Sequence, residues 1–523
     1  MESSSASAGL KENMIDVAAR LTDGQKTLLY FFSLCWLVVV LGRRFRRSGS
    51  GDEVPVFGYR SMLEPSFVLR ARFAFGAKSM IRAGCAKMKD QPFVLRRWSN
   101  DVLCLPMKYL DELRLKPVSQ VNLAAAQASN FVPQWTCLHV LTSSRLHVEV
   151  LKQKLNPQLF HFVALANEEL DLIWNLEMPK ADGKFYPLDI LQKLVSPISS
   201  RVFLGRATCR DPRWVRLAID FTIDAFLTAC TLNLFPYWSH FIIARLIPAR
   251  RRVLKHLRVA ENTVRRLSQE HAAVKEARDR GEEIGEEEDT LLNWMLDNGS
   301  PSECVPSEMG PRQCALTLGS IHTTTLTTLQ LLYDLCDHPE WFPVLREEID
   351  SLANELGGPG EKPSVTTREW CNRLEKLDSF LRLLVGQDVN LRDGLRLRSG
   401  TIIAFPSCEY QFNPDKYRDS TSFDPMRSYR LRRSSPDQRN NHRAGMTHPT
   451  NLTFGYGNQA CTGRHFAVAE VKLIVARLLH EYDIEFVPGQ SRPRTFHINE
   501  ISFTNPYAKL MMRRRRRKEV LSC

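Results

Sequence analysis

The sequence lacks the short motifs that bind nucleotides or hydrolyse peptides and esters. It contains no Walker loop, no H-E-x-x-H pair and no nucleophile elbow, and it has no fingerprint for a flavin or a nicotinamide dinucleotide. Zinc-finger spacing and basic-aromatic stripes are absent as well, so the net charge of +13 does not indicate a nucleic-acid partner. A membrane surface or an acidic partner protein remains as the explanation of that charge.

Linkers and paired cysteines are also missing. After residue 60 no Pro-, Gly- or Ser-rich stretch divides the chain of 523 residues. We therefore expect one large domain, although the length alone would allow several. The thirteen cysteines are odd in number, scattered and free of C-x-x-C pairs. This pattern is typical of reduced thiols that face the cytosol.

The N-terminal region contains an uncharged apolar run at residues 27–42, and four arginines follow it within residues 43–47. The run is at the short edge of a bilayer span, which the thin membrane of the endoplasmic reticulum accommodates. A cleaved signal peptide is less favoured because the densest charge comes after the run, and a buried core helix is the other alternative. We predict a tail at 1–26, a single transmembrane anchor at 27–42 and a basic linker at 43–60, with the rest of the chain in the cytosol.

The remaining chain has mainly helical patterns. Helical periodicity dominates from Leu141 to Leu267, and Thr290 is placed to open a further helix. The stretch from Phe93 to Lys116 predicts a strand, a turn at Pro106 and a helix. Further strands are predicted at 401–405 and 483–487. The expected fold is mainly α with small β-sheets, in a domain over residues 61–510 that a basic tail at 511–523 follows.

A glycine-rich loop at residues 454–463, F-G-Y-G-N-Q-A-C-T-G, presents Cys461 just before a predicted helix. Glycines allow positive φ and let the backbone approach a flat object closely. Amides at the helix start would point at the sulfur and favour a thiolate. The alternative is that Cys461 is a small buried hydrophobic residue, which is common for a lone cysteine.

The spacing F-G-x-G-x-x-x-C-x-G resembles the haem-binding signature of cytochrome P-450 monooxygenases, and Arg464 and Ala467 match its continuation. The resemblance implies that Cys461 is the axial ligand of the iron in haem b, iron-protoporphyrin IX. It also implies that the residues around the cofactor are Phe454, Gly455, Gly457, Gly463 and Arg464. One position departs from the signature: Gln459 stands where an arginine or histidine usually faces a haem propionate, so one salt bridge to the haem is lost.

A second stretch, residues 314–338, has no ionisable side chain before Asp334 apart from His322, and it is expected in the centre of the domain. Its threonines are poor helix formers whose hydroxyls can bond the carbonyls of the preceding turn and loosen the helix. The sequence G-S-I-H-T-T resembles the oxygen-activating helix of the same family. Thr323 then takes the place of the proton-relaying threonine, and His322 replaces the acid before it. His322 can deliver protons near neutral pH, or it can be a structural or substrate-facing residue.

The resemblance breaks at one place. Arg427, in F-D-P-M-R, matches the arginine that in this family pairs with an E-x-x-R helix, yet residues 383–386 read L-L-V-G where E-x-x-R is expected. A buried Arg427 without these partners would be destabilising by about 3–5 kcal/mol. An error in the predicted coding sequence, a decayed gene and a functional enzyme with a rearranged core all explain the gap.

The resemblance implies a membrane-anchored haem-thiolate monooxygenase similar to fungal enzymes that oxidise terpenoids and other secondary metabolites. Electrons from NADPH would arrive through a separate flavoprotein reductase, with cytochrome b5 as a second candidate donor. Thr323 and His322 would be the catalytic residues. Two alternatives stay open. One is a haem-thiolate isomerase or dehydratase that needs no reductase, and the other is an inactive remnant or mis-predicted gene product.

Overall fold

Helices make up most of the described protein. The structure is a computed structural model that describes residues 54–283, 285, 287–358, 365–381, 401–406, 423–449, 451–499 and 501–515. Within these ranges the α-helices are α1 (Ser66–Met88), α2 (Leu110–Leu113), α3 (Leu123–Asn130), α4 (Pro133–Thr136), α5 (Val140–Ser143), α6 (Leu146–Val150), α7 (Leu159–Glu177), α8 (Pro187–Leu204), α9 (Arg206–Cys209), α10 (Pro212–Asn233), α11 (His240–Leu246), α12 (Pro248–Asp279), α13 (Leu291–Asn298), α14 (Pro301–Cys304), α15 (Pro306–Asp337), α16 (Trp341–Leu356), α17 (Val365–Arg373), α18 (Glu375–Leu381), α19 (Arg427–Arg432) and α20 (Arg464–Glu481).

Helix α15 runs through the core and packs against α8, α10, α12 and α20. It begins with Pro306 in the first turn, where the missing N–H is not needed. It ends before His338, because the following Pro339 disfavours helical geometry in the residue that precedes it. This central course confirms the prediction made from residues 314–338, which have no acidic or basic side chain before Asp334 apart from His322.

Helix α8 is the most deeply buried neighbour of α15. All of its residues from Leu194 to Leu204 are buried. A helix that is enclosed on every side must pack against several partners, and α8 contacts α7 and α15 along its length. The site therefore rests on a core of long helices.

The strands form small sheets at the margin of the helical core. They are β1 (Phe93–Arg96), β2 (Asp101–Cys104), β3 (Gly183–Phe185), β4 (Ile402–Ala404), β5 (Tyr482–Phe486), β6 (Phe496–Ile498), β7 (Ile501–Phe503) and β8 (Leu510–Arg514). Strand β2 is antiparallel to β1 and parallel to β4, β8 lies between β3 and β5, and β6 pairs with β7. The expectation of a mainly α fold with small sheets is confirmed.

Most local predictions agree with these elements, and two boundaries differ. Thr290 caps α13 through its hydroxyl, which accepts a hydrogen bond from the amide of Asn293 at 3.1 Å. The stretch before Pro106, expected to form one strand, forms the two strands β1 and β2, which pair with each other. Strand β8 extends the folded domain to Arg514, and Arg515 reaches Asp350 at 2.7 Å. These residues begin the segment that the sequence assigned to a basic tail.

The predicted membrane anchor at 27–42 lies outside the described residues, as do the tail and most of the linker. Among the helices that are described, none alone has the length and apolar composition to cross a bilayer. Helices α10 and α11 meet those criteria only as a pair, bent by 120° at the break between them.

A buried carboxyl group lies where three core helices meet. Glu470 of α20 is enclosed by protein, and its Oε1 accepts a hydrogen bond from the Ser199 hydroxyl of α8 at 3.0 Å. The hydroxyl of Thr324 in α15 also lies near the group and lowers its pKa. Burial raises the pKa of Glu470 to about 8, an effect that the neighbouring hydroxyls only partly offset. The carboxyl is therefore protonated at neutral pH.

Glu470→Gln should flatten the pH dependence of stability. The folded state keeps the proton of Glu470 up to a pKa of about 8, whereas the unfolded chain loses it near 4.5. Between these values the unfolded state binds fewer protons, so the free energy of unfolding falls as the pH rises. We expect Glu470→Gln to reduce this pH-dependent loss of unfolding free energy by on the order of a few kcal/mol.

Chemical denaturation near the two ends of this pH window measures the effect. Glu355→Gln is the matched control, because Glu355 is an exposed glutamate paired with Arg373. Parallel pH profiles for the wild type and Glu470→Gln would contradict the assignment.

Candidate functional site

The cysteine loop, residues 454–463, has a backbone that only glycine allows at two positions. Gly455 and Gly457 have φ of +74° and +62°. A Cβ on Gly457 would overlap the carbonyl oxygen of Arg114, and one on Gly455 would lie 2.8 Å from the carbonyl oxygen of Gln459. Both the positive φ and the close approach exclude a side chain. The two glycines therefore determine how the loop folds against the segment that ends α2.

Cys461 lies at the end of this loop, before α20. Its amide donates to the carbonyl of Phe454 at 2.7 Å, which closes the loop on itself. Its side chain is exposed, although protein atoms crowd its surroundings. The structure therefore does not support the alternative that Cys461 is a small buried hydrophobic residue.

The predicted thiolate is not produced by the loop alone. The amides of Gly463 and Arg464 are directed at the sulfur and the Arg464 charge lies near it, as expected, and all three lower the pKa of Cys461. Burial is the larger effect and raises the pKa above its ordinary value. The amides and the Arg464 charge favour the thiolate, but they do not by themselves offset the desolvation of the sulfur. A coordinated cation would provide the missing charge.

Arg464 supports the loop from the start of α20. Its Nε donates to the carbonyl of Gly445 at 2.9 Å, and its Nη1 donates to the carbonyl of Cys461 at 2.7 Å. The guanidinium thus joins the cysteine to the segment that precedes the loop. A Cβ on Gly463 would meet no atom within 4 Å, so the side of the loop next to the sulfur is open.

Gln459 has a role that the sequence did not indicate. Its Nε2 donates to the carbonyl of Val121 at 3.0 Å, and its Oε1 accepts from the amide of Leu123 at 3.2 Å. The side chain is buried, and it holds the loop to the start of α3. A buried side-chain amide needs hydrogen-bond partners for both its NH2 group and its oxygen. Val121 and Leu123 provide them, but they lie too far from Gln459 in the sequence for a local pattern to show this role.

Thr323 lies on an open face of the central helix. Its hydroxyl donates to the carbonyl of Gly319 at 2.7 Å and lies 3.3 Å from that of Ser320. This confirms the predicted bonding to the preceding turn. Thr323 and Gly319 are exposed, and a Cβ on Gly319 would meet no atom within 4 Å. Helix α15 packs against α20, so the helix of Thr323 neighbours the one that starts after Cys461.

His322 is directed to another helix. Its Nε2 donates to the carbonyl of Ile219 in α10 at 2.8 Å. Burial lowers the pKa of His322, although the bond to Ile219 opposes this effect. A neutral imidazole whose N–H proton is already donated to a carbonyl is a poor proton donor. The geometry therefore favours a structural role for His322 over a catalytic one.

The expectation of a buried Arg427 without a partner is wrong. Its side chain is 29% exposed, and its Nε lies 3.8 Å from Oδ2 of Asp424. A half-exposed arginine keeps much of its hydration and does not need the lost pair. Residues 383–386, where E-x-x-R was expected, lie outside the described residues.

Comparisons with known proteins agree with the loop and the helix. The family model described as Cytochrome P450 matches residues 378–512. Cytochrome P450 monooxygenase ATR4 of Stachybotrys chlorohalonatus is 37% identical over 504 residues, covering 93% of this chain and 94% of the relative. Cytochrome P450 monooxygenase sdnB of Sordaria araneosa is 32% identical, covering 93% and 91%. Ent-kaurene oxidase P450-4 of Gibberella fujikuroi is 31% identical, covering 90% and 94%. The chain therefore belongs to the cytochrome P450 family and, within it, to the fungal monooxygenases, which are haem-containing oxidoreductases.

Proposed function

We propose that this chain is a membrane-bound haem-thiolate monooxygenase that oxidises an apolar small molecule, such as a terpenoid of fungal secondary metabolism, with Cys461 as the iron ligand. The observation that carries the proposal is the exposed residue Cys461 on a loop that two positive-φ glycines and Arg464 hold in place. The printed name of one relative, ent-kaurene oxidase, supports a terpenoid-like substrate.

The residues present fit a haem group. Cys461 is an exposed residue, a Cβ on Gly463 would meet no atom within 4 Å, and two amides are directed at the sulfur. We expect Phe454, Gly455 and Gly457 to form the rest of the haem-binding loop. When bound, haem would supply the iron that activates dioxygen. The contribution of the chain is to hold the thiolate, to shape the pocket and to position protons.

Thr323 is the residue we assign to proton handling. Its hydroxyl is on the open face of α15, and its bond to the Gly319 carbonyl fixes the orientation of that hydroxyl. The oxygen can accept a second hydrogen bond while it donates to Gly319. His322 is kept in the proposal as a supporting residue that joins α15 to α10, since its ring donates to Ile219.

Electrons would come from NADPH through a separate flavoprotein reductase, with cytochrome b5 as a possible second donor. The sequence has no flavin or nicotinamide fingerprint of its own. In the segment that precedes the cysteine loop, Arg439 and Arg443 are exposed. Exposed arginines suit an acidic partner, since complementary charge speeds and orients association.

Membrane attachment in the endoplasmic reticulum is part of the proposal. The turn between α10 and α11 and helix α11 expose large apolar side chains, with Tyr237 74% and Trp238 73% exposed. Phe241, Ile242 and Leu246 continue this patch, which we call the apolar face, and Arg245 lies within it. Apolar groups with a basic rim suit an anionic lipid surface.

A cavity of about 670 Å³ opens beside the apolar face. Trp98, Asn100, Ala128, Phe235, Tyr237 and His240 are among its lining residues. A mixed aromatic and polar lining of this size accommodates a small apolar molecule. Its position supports entry of a lipid-dissolved substrate from the membrane side.

Cys461→Ser should abolish the thiolate-type Soret band in the carbon-monoxide difference spectrum of the reduced protein, because a hydroxyl does not replace the thiolate. The far-ultraviolet circular dichroism should be unchanged. Cys230→Ser is the matched control, since Cys230 is a half-buried cysteine of α10. A wild-type chain that lacks the band would show an inactive remnant or a mis-predicted gene product and would overturn the proposal.

Thr323→Ala should lower product formation on the order of a hundredfold, because a positioned proton-handling group is lost. The peroxide released per NADPH consumed should rise in the same assay with the reductase. His322→Ala should instead lower thermal stability and leave this ratio near the wild-type value. Equal peroxide ratios for the wild type and Thr323→Ala would contradict the role of Thr323, and turnover without reductase would indicate an isomerase or dehydratase.

A chain that lacks residues 1–42 should retain part of its membrane binding through the apolar face. In vesicle flotation with anionic lipid, we expect Trp238→Ser with Phe241→Ser to lower the partition coefficient of this truncated chain by at least about a hundredfold, since each buried aromatic contributes about 1.5–3 kcal/mol. Leu176→Ser is the control, because Leu176 is 79% exposed on α7, outside the apolar face. Unchanged flotation of the double variant would exclude this face as a contact.

A further inference from the structure

A buried carboxylate, Asp378 of α18, joins three parts of the chain. It is 3% exposed, and its Oδ1 lies 2.5 Å from Nζ of Lys472 in α20. Its Oδ2 accepts a hydrogen bond from the amide of Ala444 at 2.9 Å and lies 3.5 Å from Nη1 of Arg432. Lys472, Arg432 and Ala444 are all buried. One side chain thus contacts α19, α20 and the segment between them.

The charges in this cluster balance. Arg432 also pairs with Glu375 at 3.1 Å, and its Nε donates to the carbonyl of Arg439. Lys472 donates in addition to the carbonyl of Cys371 at 2.9 Å. Two acids therefore face two buried bases, each of which has a further acceptor, and the exposed Arg433 also pairs with Glu375 at 3.1 Å. A buried ionic cluster persists when its charges and hydrogen bonds are satisfied in this way.

The contacts of Asp378 bracket the cysteine loop. Ala444 lies before the loop, next to Gly445, whose carbonyl accepts from Arg464. Lys472 lies after the loop, on the helix that starts at Arg464. The same carboxylate therefore holds the chain on both sides of Cys461. The cluster uses residues other than the E-x-x-R pair that the sequence lacks.

We propose that Asp378 is the positioning residue of the cysteine loop, which fixes the entry and the exit of the loop through Ala444 and Lys472. The proposal deepens the proposed function and rests on it for the role of Cys461 as the iron ligand. The position of the sulfur then depends on a charge that lies outside the loop and does not touch the cofactor.

The neighbouring residue provides a matched control. The Ser379 hydroxyl donates to the carbonyl of Pro425 at 2.5 Å and accepts from the amide of Tyr429 at 3.0 Å. Ser379 is as deeply buried as Asp378 and lies on the same short helix. Its contacts reach residues 425–429 and do not reach the loop. Ser379→Ala therefore tests for a general loosening of α18.

Hydrogen exchange of the purified full-length chain tests the proposal. We expect Asp378→Asn to speed amide exchange in residues 440–463 by at least about tenfold, because local opening becomes easier once its anchor is lost. Ser379→Ala should speed exchange in residues 425–429 and leave 440–463 near the wild-type rate. In the reduced carbon-monoxide complex, Asp378→Asn should also convert part of the thiolate-type band to the non-thiolate form, while Ser379→Ala should not.

A second variant covers the case in which Asp378→Asn does not fold. The double variant Asp378→Asn with Lys472→Gln removes one acid and one base, so the pair of Arg432 and Glu375 stays balanced. We expect it to fold and to show the same fast exchange in residues 440–463. Wild-type exchange there in the double variant, or the same exchange pattern for Asp378→Asn and Ser379→Ala, would overturn the proposal. Hydrogen exchange is measured without haem and therefore tests only the positioning role of Asp378. A wild-type protein without a thiolate-type band would reject the proposed function and leave this positioning role to be judged by the exchange data.

Discussion

The geometry of the cysteine loop depends on hydrogen bonds and charges that other segments supply. The loop is short and two of its residues are glycines with positive φ, so contacts within the loop do not hold its shape. The amide of Asn458 donates to the carbonyl of Arg114 at 2.8 Å, which seats one side of the loop on the end of α2. Gln459, Arg464 and the Asp378 cluster hold the other sides. The fold thus serves to bring these distant groups to one place.

The long helices were predictable because their signals are local. Helical periodicity, a threonine cap at the start of α13 and a proline after α15 all act within a few residues of the element that they define. The division of the stretch before Pro106 into β1 and β2 was missed because β2 forms by pairing with β1 and β4, and β4 lies about three hundred residues away in the sequence. Pairing of this kind leaves little trace in a short window of sequence.

The site was predictable to the same extent. The glycine spacing located the loop, and the threonine cluster indicated the bonding of Thr323 to Gly319. The partners of His322, Gln459 and Asp378 could not be read from the sequence, because each lies at least 54 residues away along the chain. The net effect on the Cys461 pKa could not be read from the sequence, because spacing shows the amides and does not show how much protein surrounds the sulfur.

Gln459 has one more consequence. Its side chain holds the loop to Val121 and Leu123, at the start of α3. On the same helix, Ala125 and Ala128 line the cavity beside the apolar face. A molecule in that cavity that displaces α3 must either break the two hydrogen bonds of Gln459 or carry the cysteine loop with it. The helix that lines this cavity and the loop that carries Cys461 are therefore mechanically linked through Gln459.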